Sequence, residues 1–168
     1  MNAPVPTESA VVKAGADYLS RLGWTVRRHN VGAQKITEAS GKVRFIRYGK
    51  KGESDLRGFC PWGLYVAAEA KRPSGENKLS DDQLLYLRRV RQARCIAIVF
   101  GSLDELEVSV EIAQLTARYF APFEFLRHKI PESILRLSND ACTARLSDLT
   151  SRRNQLERRY LPRGENAI

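Results

Sequence analysis

The sequence predicts an α/β core, in which helices flank a central mixed sheet, followed by a C-terminal helical extension. Segments with apolar residues at three- and four-residue spacing predict helices, and short apolar or alternating segments predict strands. Together they give the order helix, strands, helix, strand, helix. The hydrophobic share of 43% and the charged share of 28% are typical of a globular chain, which excludes wholesale disorder and a fibrous repeat. We place the core at residues 1–121 and the extension at residues 122–168.

The first third of the chain is predicted to contain one helix and two strands. Thr7 is a suitable N-cap, and the apolar spacing over residues 8–22 predicts a helix. The segment 24–29 is typical of a strand, whereas residues 30–41 are polar with two glycines, which predicts a loop. Val43–Tyr48 alternates imperfectly between apolar and basic residues, as a second strand does.

A hairpin is predicted next, from a strand at residues 55–59 and a longer strand at residues 64–71 with a turn between them. Residues 80–92 predict a helix that a capping box opens. Residues 95–100 are continuously apolar and predict a buried strand. A second capping box opens a helix predicted at residues 102–119.

The extension is predicted to contain two helices. Pro131 begins a short helix that ends at residue 137, and a longer helix covers residues 141–161. The longer helix carries a narrow apolar stripe: Cys142, Leu146, Leu149, Leu156 and Tyr160. Such a stripe is too apolar to be left in water. The sequence leaves open whether it covers the chain's own core or a second copy of the chain.

The charge of the chain indicates a polyanionic partner. Lys and Arg number 28 against 19 Asp and Glu, a net charge of +9, which favours nucleic acid first and an anionic membrane surface second. No segment approaches the roughly 18 consecutive apolar residues of a membrane span, and residues 1–7 lack the features of a signal peptide. We therefore expect a cytoplasmic protein with no membrane partner. Three widely spaced cysteines without a CxxC pair make a disulfide framework or a zinc site a poor prediction.

Two acidic residues are predicted to meet at one end of the hairpin. Asp55 opens the first strand and Glu69 lies near the end of the second, so the antiparallel return brings them side by side. The two carboxylates and the backbone carbonyl of Ala70 form an all-oxygen set that suits Mg²⁺ or Mn²⁺. Lys71 shares the strand face of Glu69. Its ammonium would orient a water molecule and neutralise charge that develops on a phosphate.

These residues resemble the signature of a nuclease superfamily. Asp55 followed, after a turn, by Glu69-x-Lys71 is similar to the PD-(D/E)xK motif. Together with Glu8 on the first helix, the segment 52–56 and Gln83 early in a later helix, the pattern resembles the VRR-NUC family within that superfamily. The resemblance implies a restriction-endonuclease-like core and metal-dependent hydrolysis of DNA phosphodiester bonds.

The resemblance covers about residues 8–119, since the predicted strand 95–100 and the residues 102–106 also look like that family's last strand and helix. Ser54 departs from the pattern, which often has proline at this position; the position shapes a turn and supplies no ligand. Stand-alone members of the family look like compact Holliday-junction resolvases. The resemblance therefore implies a homodimer that acts on branched DNA.

The family's site residues carry over to five positions of this chain. The resemblance implies that Glu8, Asp55 and Glu69 hold one or two metal ions, that Lys71 positions the attacking water, and that Gln83 orients Lys71 or the water. Each also has a structural interpretation: Glu69 and Lys71 as a solvated ion pair, Glu8 as an acid favoured at a helix N-terminus, and Gln83 as a member of the capping box. A charged pair at the end of an apolar strand favours function, as does the predicted inward face of Glu8. Both roles of Gln83 stay open.

A run of basic residues precedes Asp55. Between residues 27 and 51 there are eight, counting Lys35, against the single acid Glu38. Beside a metal site they would hold a phosphodiester backbone without reading its sequence. The predicted DNA contacts are Arg27, Arg28, Lys42, Arg44, Arg47, Lys50 and Lys51. A second basic cluster follows Gln83: Arg88, Arg89, Arg91 and Arg94.

Two further functions stay open at this point. A non-catalytic nucleic-acid-binding module would use the basic clusters alone, although it gives no reason for acidic residues within a basic surface. A nuclease subunit that acts only with a helicase or a phage-packaging partner would keep the chemistry and change the context. A cleavage assay with and without Mg²⁺ or Mn²⁺ separates the binding module from the nuclease.

Overall fold

A four-stranded mixed sheet is the centre of the computed structural model, which describes residues 5–29, 32–120, 128–165 and 168, without the side chains of residues 32–34, 47 and 120. In spatial order its strands are β1 (Thr25–Arg28), β4 (Leu56–Phe59), β5 (Tyr65–Ala70) and β6 (Ile96–Phe100). β1 and β4 are antiparallel, as are β4 and β5, whereas β5 and β6 are parallel. Two more strands, β2 (Gly32–Thr37) and β3 (Val43–Tyr48), form a separate antiparallel ribbon. The predicted α/β class with a mixed sheet is confirmed.

The helices begin where the sequence places capping residues. They are α1 (Glu8–Arg21), α2 (Asp81–Gln92), α3 (Leu103–Phe120), α4 (Glu132–Leu135) and α5 (Asn139–Glu157), and a 3₁₀ turn at Arg158–Tyr160 follows α5. The Thr7 hydroxyl accepts from the N–H of Ala10, and both halves of the box between Ser80 and Gln83 are present. Among the described residues, no helix is long and apolar enough to cross a membrane.

The second predicted capping box is only half formed. The Ser102 hydroxyl accepts from the N–H of Glu105 at 3.3 Å, as expected. The Glu105 carboxylate, however, accepts from the N–H of Gly101 at 2.8 Å and from the Tyr160 hydroxyl at 3.0 Å. The Glu105 carboxylate therefore connects the end of β6 with the C-terminal turn. The box is incomplete because Tyr160, which is distant in the sequence, also binds this carboxylate.

The two faces of the sheet carry different helices. Along β5, Val66, Ala68 and Ala70 belong to the core that contains α1 and α3, whereas Ala67 packs with residues of α2 such as Leu87. Because side chains alternate along a strand, residue 69 shares the α2 side of the sheet with residue 67. The C-terminal end of β5 therefore faces the N-terminal turn of α2.

The described part of the extension packs on the rest of the chain. In α5, Cys142 and Leu149 are buried in the same core cluster as residues of α1 and α3. Tyr160 is fully buried on the opposite side, where it packs with α2, and its carbonyl accepts from the N–H of Leu79 at 2.7 Å. The apolar stripe thus covers the chain's own core at these three positions. The boundary at residues 121 and 122 and the homodimer stay predictions.

One predicted loop is wrong. The polar segment 30–41 contains strand β2, and only residues 38–41 form its turn; residues 30 and 31 lie outside the described part of the chain. Pairing with β3 supplies backbone hydrogen bonds that the polar composition of β2 does not reveal. Gly41, with φ of +78°, provides the left-handed residue that the turn requires. Both ends of β3 agree with the prediction, and the ends of the other elements lie within four residues of their predicted positions.

Candidate active site

The hairpin of β4 and β5 brings the two predicted acids together. Leu56 pairs with Ala68, so Asp55 and Glu69, one position further in each strand, lie at the same end of the hairpin and on the same face. The N–H of Ala70 donates to Asp55 Oδ2 at 3.0 Å, which holds the Asp55 carboxylate against β5. The predicted meeting of the two carboxylates is therefore reproduced by the fold.

Three side chains form a hydrogen-bonded cluster on the α2 side of this end. Lys71 Nζ donates to Glu69 Oε1 at 2.9 Å and to Gln83 Oε1 at 3.2 Å. Gln83 Nε2 in turn donates to Glu69 Oε1. Glu69 and Lys71 are only 2% and 5% exposed, so their interpretation as a solvated edge pair is wrong. We call Glu69, Lys71 and Gln83 the buried triad.

Gln83 has both of the roles that the sequence left open. Its Oε1 atom accepts from the N–H of Ser80 at 3.0 Å, which completes the capping box of α2. The same side chain contacts Lys71 and Glu69. The cap therefore fixes the amide group that holds the lysine, so the helix N-terminus and the site share one residue.

The pKa values of both central carboxyl groups are raised above their ordinary values. Burial, and next the charge of Asp55, raise the pKa of Glu69 to about 7 against the opposing charge of Lys71. Burial also raises the pKa of Asp55 above its ordinary value. Among the described residues, Glu69 Oε2 is a buried oxygen without a hydrogen-bond partner. An oxygen of this kind is costly unless something pairs with it.

Glu8 reaches the same region from α1 but is not part of the buried triad. It is half-buried, and its Oε2 atom accepts from Asn77 Nδ2 at 3.4 Å. Its negative charge contributes to the raised pKa of Asp55. Within the described part of the chain, no group of three or more His, Cys, Asp or Glu side chains is arranged to hold a metal ion. Glu8 is therefore near Asp55, but its described hydrogen bond is to Asn77 and not to the buried triad.

Glu53 is a structural member of the site that sequence reasoning missed. Its carboxylate lies 3.0 Å from His29 Nε2, accepts from the N–H of Lys50 at 2.7 Å, and pairs with Arg57 Nη1 at 2.8 Å. The N–H of Lys50 is the main reason that the pKa of Glu53 is lowered. We call these contacts the Glu53 clamp. It joins the two ends of the segment containing β2 and β3 to the chain just before Asp55.

The predicted DNA contacts lie on three elements. Arg27 and Arg28 are exposed on β1, Lys42 and Arg44 on the ribbon, and Lys50 and Lys51 in the turn before the site. The side chain of Arg47 lies outside the described part. The charge of Arg28 opposes the rise in the pKa of Asp55, which places this arginine beside the site. Lys51 Nζ pairs with Asp82 Oδ2 at 2.7 Å.

The second basic cluster does not form one surface. Arg91 Nη2 binds the Ala97 carbonyl at 3.1 Å and the Glu157 carboxylate at 2.5 Å, and Arg88 pairs with Glu165. Arg89 and Arg94 are exposed. The sequence could not separate these cases, because the acids that bind Arg88 and Arg91 are far away along the chain.

Comparisons with known proteins add no relative to this description. No protein-family model, no curated protein and no solved structure matches the chain. Inference about function therefore starts from the buried triad, from Asp55 and from the basic residues around them.

Proposed function

We propose that the protein is a metal-dependent DNA endonuclease with a restriction-endonuclease-like core, as the resemblance to the VRR-NUC family implies. The observation that carries the proposal is the hydrogen-bonded set of Glu69, Lys71 and Gln83 buried beside Asp55 at the end of a sheet. A buried lysine between a carboxylate and an amide, next to a second carboxylate, suits the positioning of a water molecule against a phosphate. Nothing in the packing of the core requires charged residues at this position.

The donor atoms fit Mg²⁺ or Mn²⁺. Asp55, Glu69 and the backbone carbonyl of Ala70 are hard oxygen ligands, and such ions commonly keep several waters and use few protein carboxylates. The unpartnered Glu69 Oε2 and the raised pKa of both acids indicate a site that gains from a cation. When bound, the ion would lower the pKa of a water molecule and stabilise charge on the phosphate. Glu8 would complete the ligand set from α1.

Lys71 and Gln83 would orient the attacking water. An ammonium group has three donors, and the described contacts use two of them, to Glu69 and Gln83. The third donor is available to a water molecule or a phosphate oxygen. Gln83 restrains the ammonium group through Oε1, while the capping box restrains Gln83. A fixed donor of this kind stabilises developing negative charge without reorganisation.

The exposed basic residues on β1, the ribbon and the turn before Asp55 would contact DNA phosphates on either side of the cleaved bond. Contacts of this type position a duplex without selecting a base sequence. Preference for branched DNA and a homodimer with two identical sites remain parts of the proposal that rest on the resemblance. A two-fold dimer would match the symmetry of a four-way junction.

The test is cleavage of matched four-way junction, flap, nicked and linear DNA in Mg²⁺, in Mn²⁺ and in EDTA. Wild-type protein should cleave only with metal. Asp55→Asn, Glu69→Gln and Lys71→Gln should each lower the rate by on the order of 10²-fold or more, because each removes a group that acts on the reacting phosphate or water. Affinity for DNA should be unchanged or higher in the two acid variants, since each removes negative charge.

Glu132→Gln is the matched control. Glu132 is an exposed acid that pairs only with Arg136 among its described contacts, so the same chemical change there should leave cleavage unchanged. Circular dichroism shows whether each variant is folded. Full cleavage by folded Lys71→Gln protein would contradict the proposed site.

The second candidate is a non-catalytic nucleic-acid-binding module. One observation favours it: within the described residues no three acidic or imidazole side chains converge as a metal cluster. This function predicts salt-dependent DNA binding with no cleavage of any substrate in either metal. In that case the buried triad would serve only to fix the end of β5 against α2.

A further inference from the structure

The ribbon of β2 and β3 exposes apolar side chains on both of its faces. Every ribbon side chain that the structure describes is exposed, and Phe45 is 66% exposed. By strand alternation and the observed register, Lys35, Val43 and Phe45 share one face, and Ile36, Arg44 and Ile46 share the other. A two-stranded hairpin with neither face covered is marginally stable in water. We therefore expect both faces of the ribbon to contact another surface.

The charge of the ribbon indicates what covers it. Lys35 pairs across the strands with Phe45 on one face, and Arg44 pairs with Ile36 on the other, so each face combines a cation with apolar groups. Lys42 adds a third cation at the turn, against the single acid Glu38, which binds Arg44 at 3.2 Å. A second copy of the ribbon would bring like charges together. DNA with exposed base faces is a polyanion that also has apolar surfaces. It therefore complements both the positive charge and the apolar side chains of the ribbon.

The ribbon is also fixed to the site. The Glu53 clamp holds His29 and Lys50, which flank the segment containing the ribbon. The same carboxylate pairs with Arg57 of β4, the strand that follows Asp55. The base of the ribbon is therefore held close to Asp55.

We propose that the ribbon inserts at a branch point, with one duplex arm against each face. This inference rests on the proposed function and assigns the recognition of branching to one element. Each strand of six residues extends about 20 Å, enough to lie along the opening between two arms. Lys35 and Arg44 contact the phosphates of opposite arms, while Phe45 and Ile46 cover base pairs that branching leaves unstacked. A ribbon in the groove of one duplex would use only one face.

The experiment measures binding by fluorescence anisotropy in EDTA, so that cleavage plays no part. A labelled four-way junction is compared with a linear duplex of the same arm sequences. Phe45→Ser and Ile46→Ser should each weaken junction binding by roughly 10-fold, as expected for loss of an apolar contact to a base. Affinity for the linear duplex should change by less than about two-fold, because the phosphate contacts remain.

Leu22→Ser is the matched control, because Leu22 is an exposed leucine at the C-terminal end of α1, away from Glu8. It should alter neither affinity. Circular dichroism and light scattering check folding and mass for each variant, and folding should be retained because both ribbon residues are exposed. Glu69→Gln protein should show the same junction preference as wild type, since it keeps the ribbon.

Four outcomes would overturn the inference. Loss of junction affinity in only one of the two ribbon variants would place the ribbon in the groove of a single duplex. Equal losses of affinity for the junction and the linear duplex would make the ribbon a general DNA contact. Unchanged binding would remove it from DNA recognition. Conversion of a dimer to a monomer by Phe45→Ser would make it an interface between copies. Failure of the proposed function gives a different result. The wild-type protein would still prefer the junction in binding but would cleave no substrate in Mg²⁺ or Mn²⁺.

Discussion

Glu69 is held where its charge is only partly balanced. Its Oε1 atom accepts hydrogen bonds from Lys71 and Gln83, while Oε2 is buried without a partner among the described residues. Burial disfavours the carboxylate, and the neighbouring Asp55 disfavours it further. A single lysine does not offset both effects. The residue is therefore poised to lose its proton when a cation arrives.

We expect this to make the metal-free protein less stable as the pH rises. The pKa of Glu69 rises from 4.5 to about 7 on folding, so the folded state holds the proton more tightly. The resulting stabilisation is complete below about pH 4.5 and is lost as the pH passes through 7. In EDTA, the free energy of unfolding of wild type should fall by about 1–3 kcal/mol more than that of Glu69→Gln between pH 4.5 and pH 8. Urea denaturation at several pH values measures this, and parallel profiles would contradict the shifted pKa.

The site residues differ in how far the sequence could place them. Asp55 and Glu69 were predicted to meet because a hairpin is local and its register follows from the strands. Asn77 and Glu53 were missed, because their partners Glu8 and His29 come from separate loops or helices and no spacing rule connects them. Predicting such contacts requires the tertiary arrangement of α1 and the loop before α2.

At the scale of the elements, β1 and β4 approach unusually closely at Gly58. Gly58 pairs with Val26, and a Cβ atom on Gly58 would lie 1.8 Å from the carbonyl oxygen of Thr25. No side chain fits there without separating the strands. This glycine keeps β1, with Arg27 and Arg28, beside the strand that follows Asp55.

Gly58→Ala should therefore destabilise the protein by at least about 1–3 kcal/mol, because the backbone of β1 must move. It should also weaken DNA binding, since the arginines of β1 move with it. Gly41→Ala is the control, because the Cβ position of Gly41 has open space around it. Its positive φ is the remaining source of strain, and it should lower the free energy of unfolding by about 1 kcal/mol. Chemical denaturation measures the free energy of unfolding of both variants. An equal loss of stability would mean that β1 moves to accommodate the Gly58→Ala methyl group at little cost.

Strand β2 shows why some elements escape prediction. Most of its residues are polar or small, and its described side chains, those of Lys35, Ile36 and Thr37, are all exposed, so no alternation of buried and exposed positions is visible there. Pairing with β3 is the interaction that makes it a strand. The buried strands β5 and β6, by contrast, were predicted from composition alone, because both faces of the sheet are covered. The partner strand β3, although equally exposed at its described residues, was predicted from its imperfect alternation of apolar and basic residues.

At the scale of the whole molecule, the extension is built into the fold. Helix α5 lies against α3, and its buried residues join the core of α1 and α3. The sequence predicted the apolar stripe of α5 but could not choose between its own core and a second copy. Packing within one chain accounts for Cys142, Leu149 and Tyr160. These three side chains are therefore not available to a homodimer, which stays a prediction.

Leu149→Ala tests this arrangement. The substitution should lower the free energy of unfolding by about 2–4 kcal/mol, because it opens a cavity in a shared core. The mass found by light scattering should be that of wild type. A drop in mass with little loss of stability would instead place α5 in an interface between copies. Leu103→Ala, at an exposed position of α3, should change neither quantity.

The bond between the Leu79 N–H and the Tyr160 carbonyl has a consequence for the order in which the site is completed. A ribosome synthesises Asp55, Glu69, Lys71 and Gln83 well before residue 160. Leu79, which directly precedes the N-cap residue of α2, gains this backbone partner only when residue 160 has emerged. If the protein is the nuclease that we propose, the loop beside its site lacks this support until nearly the whole chain has been made.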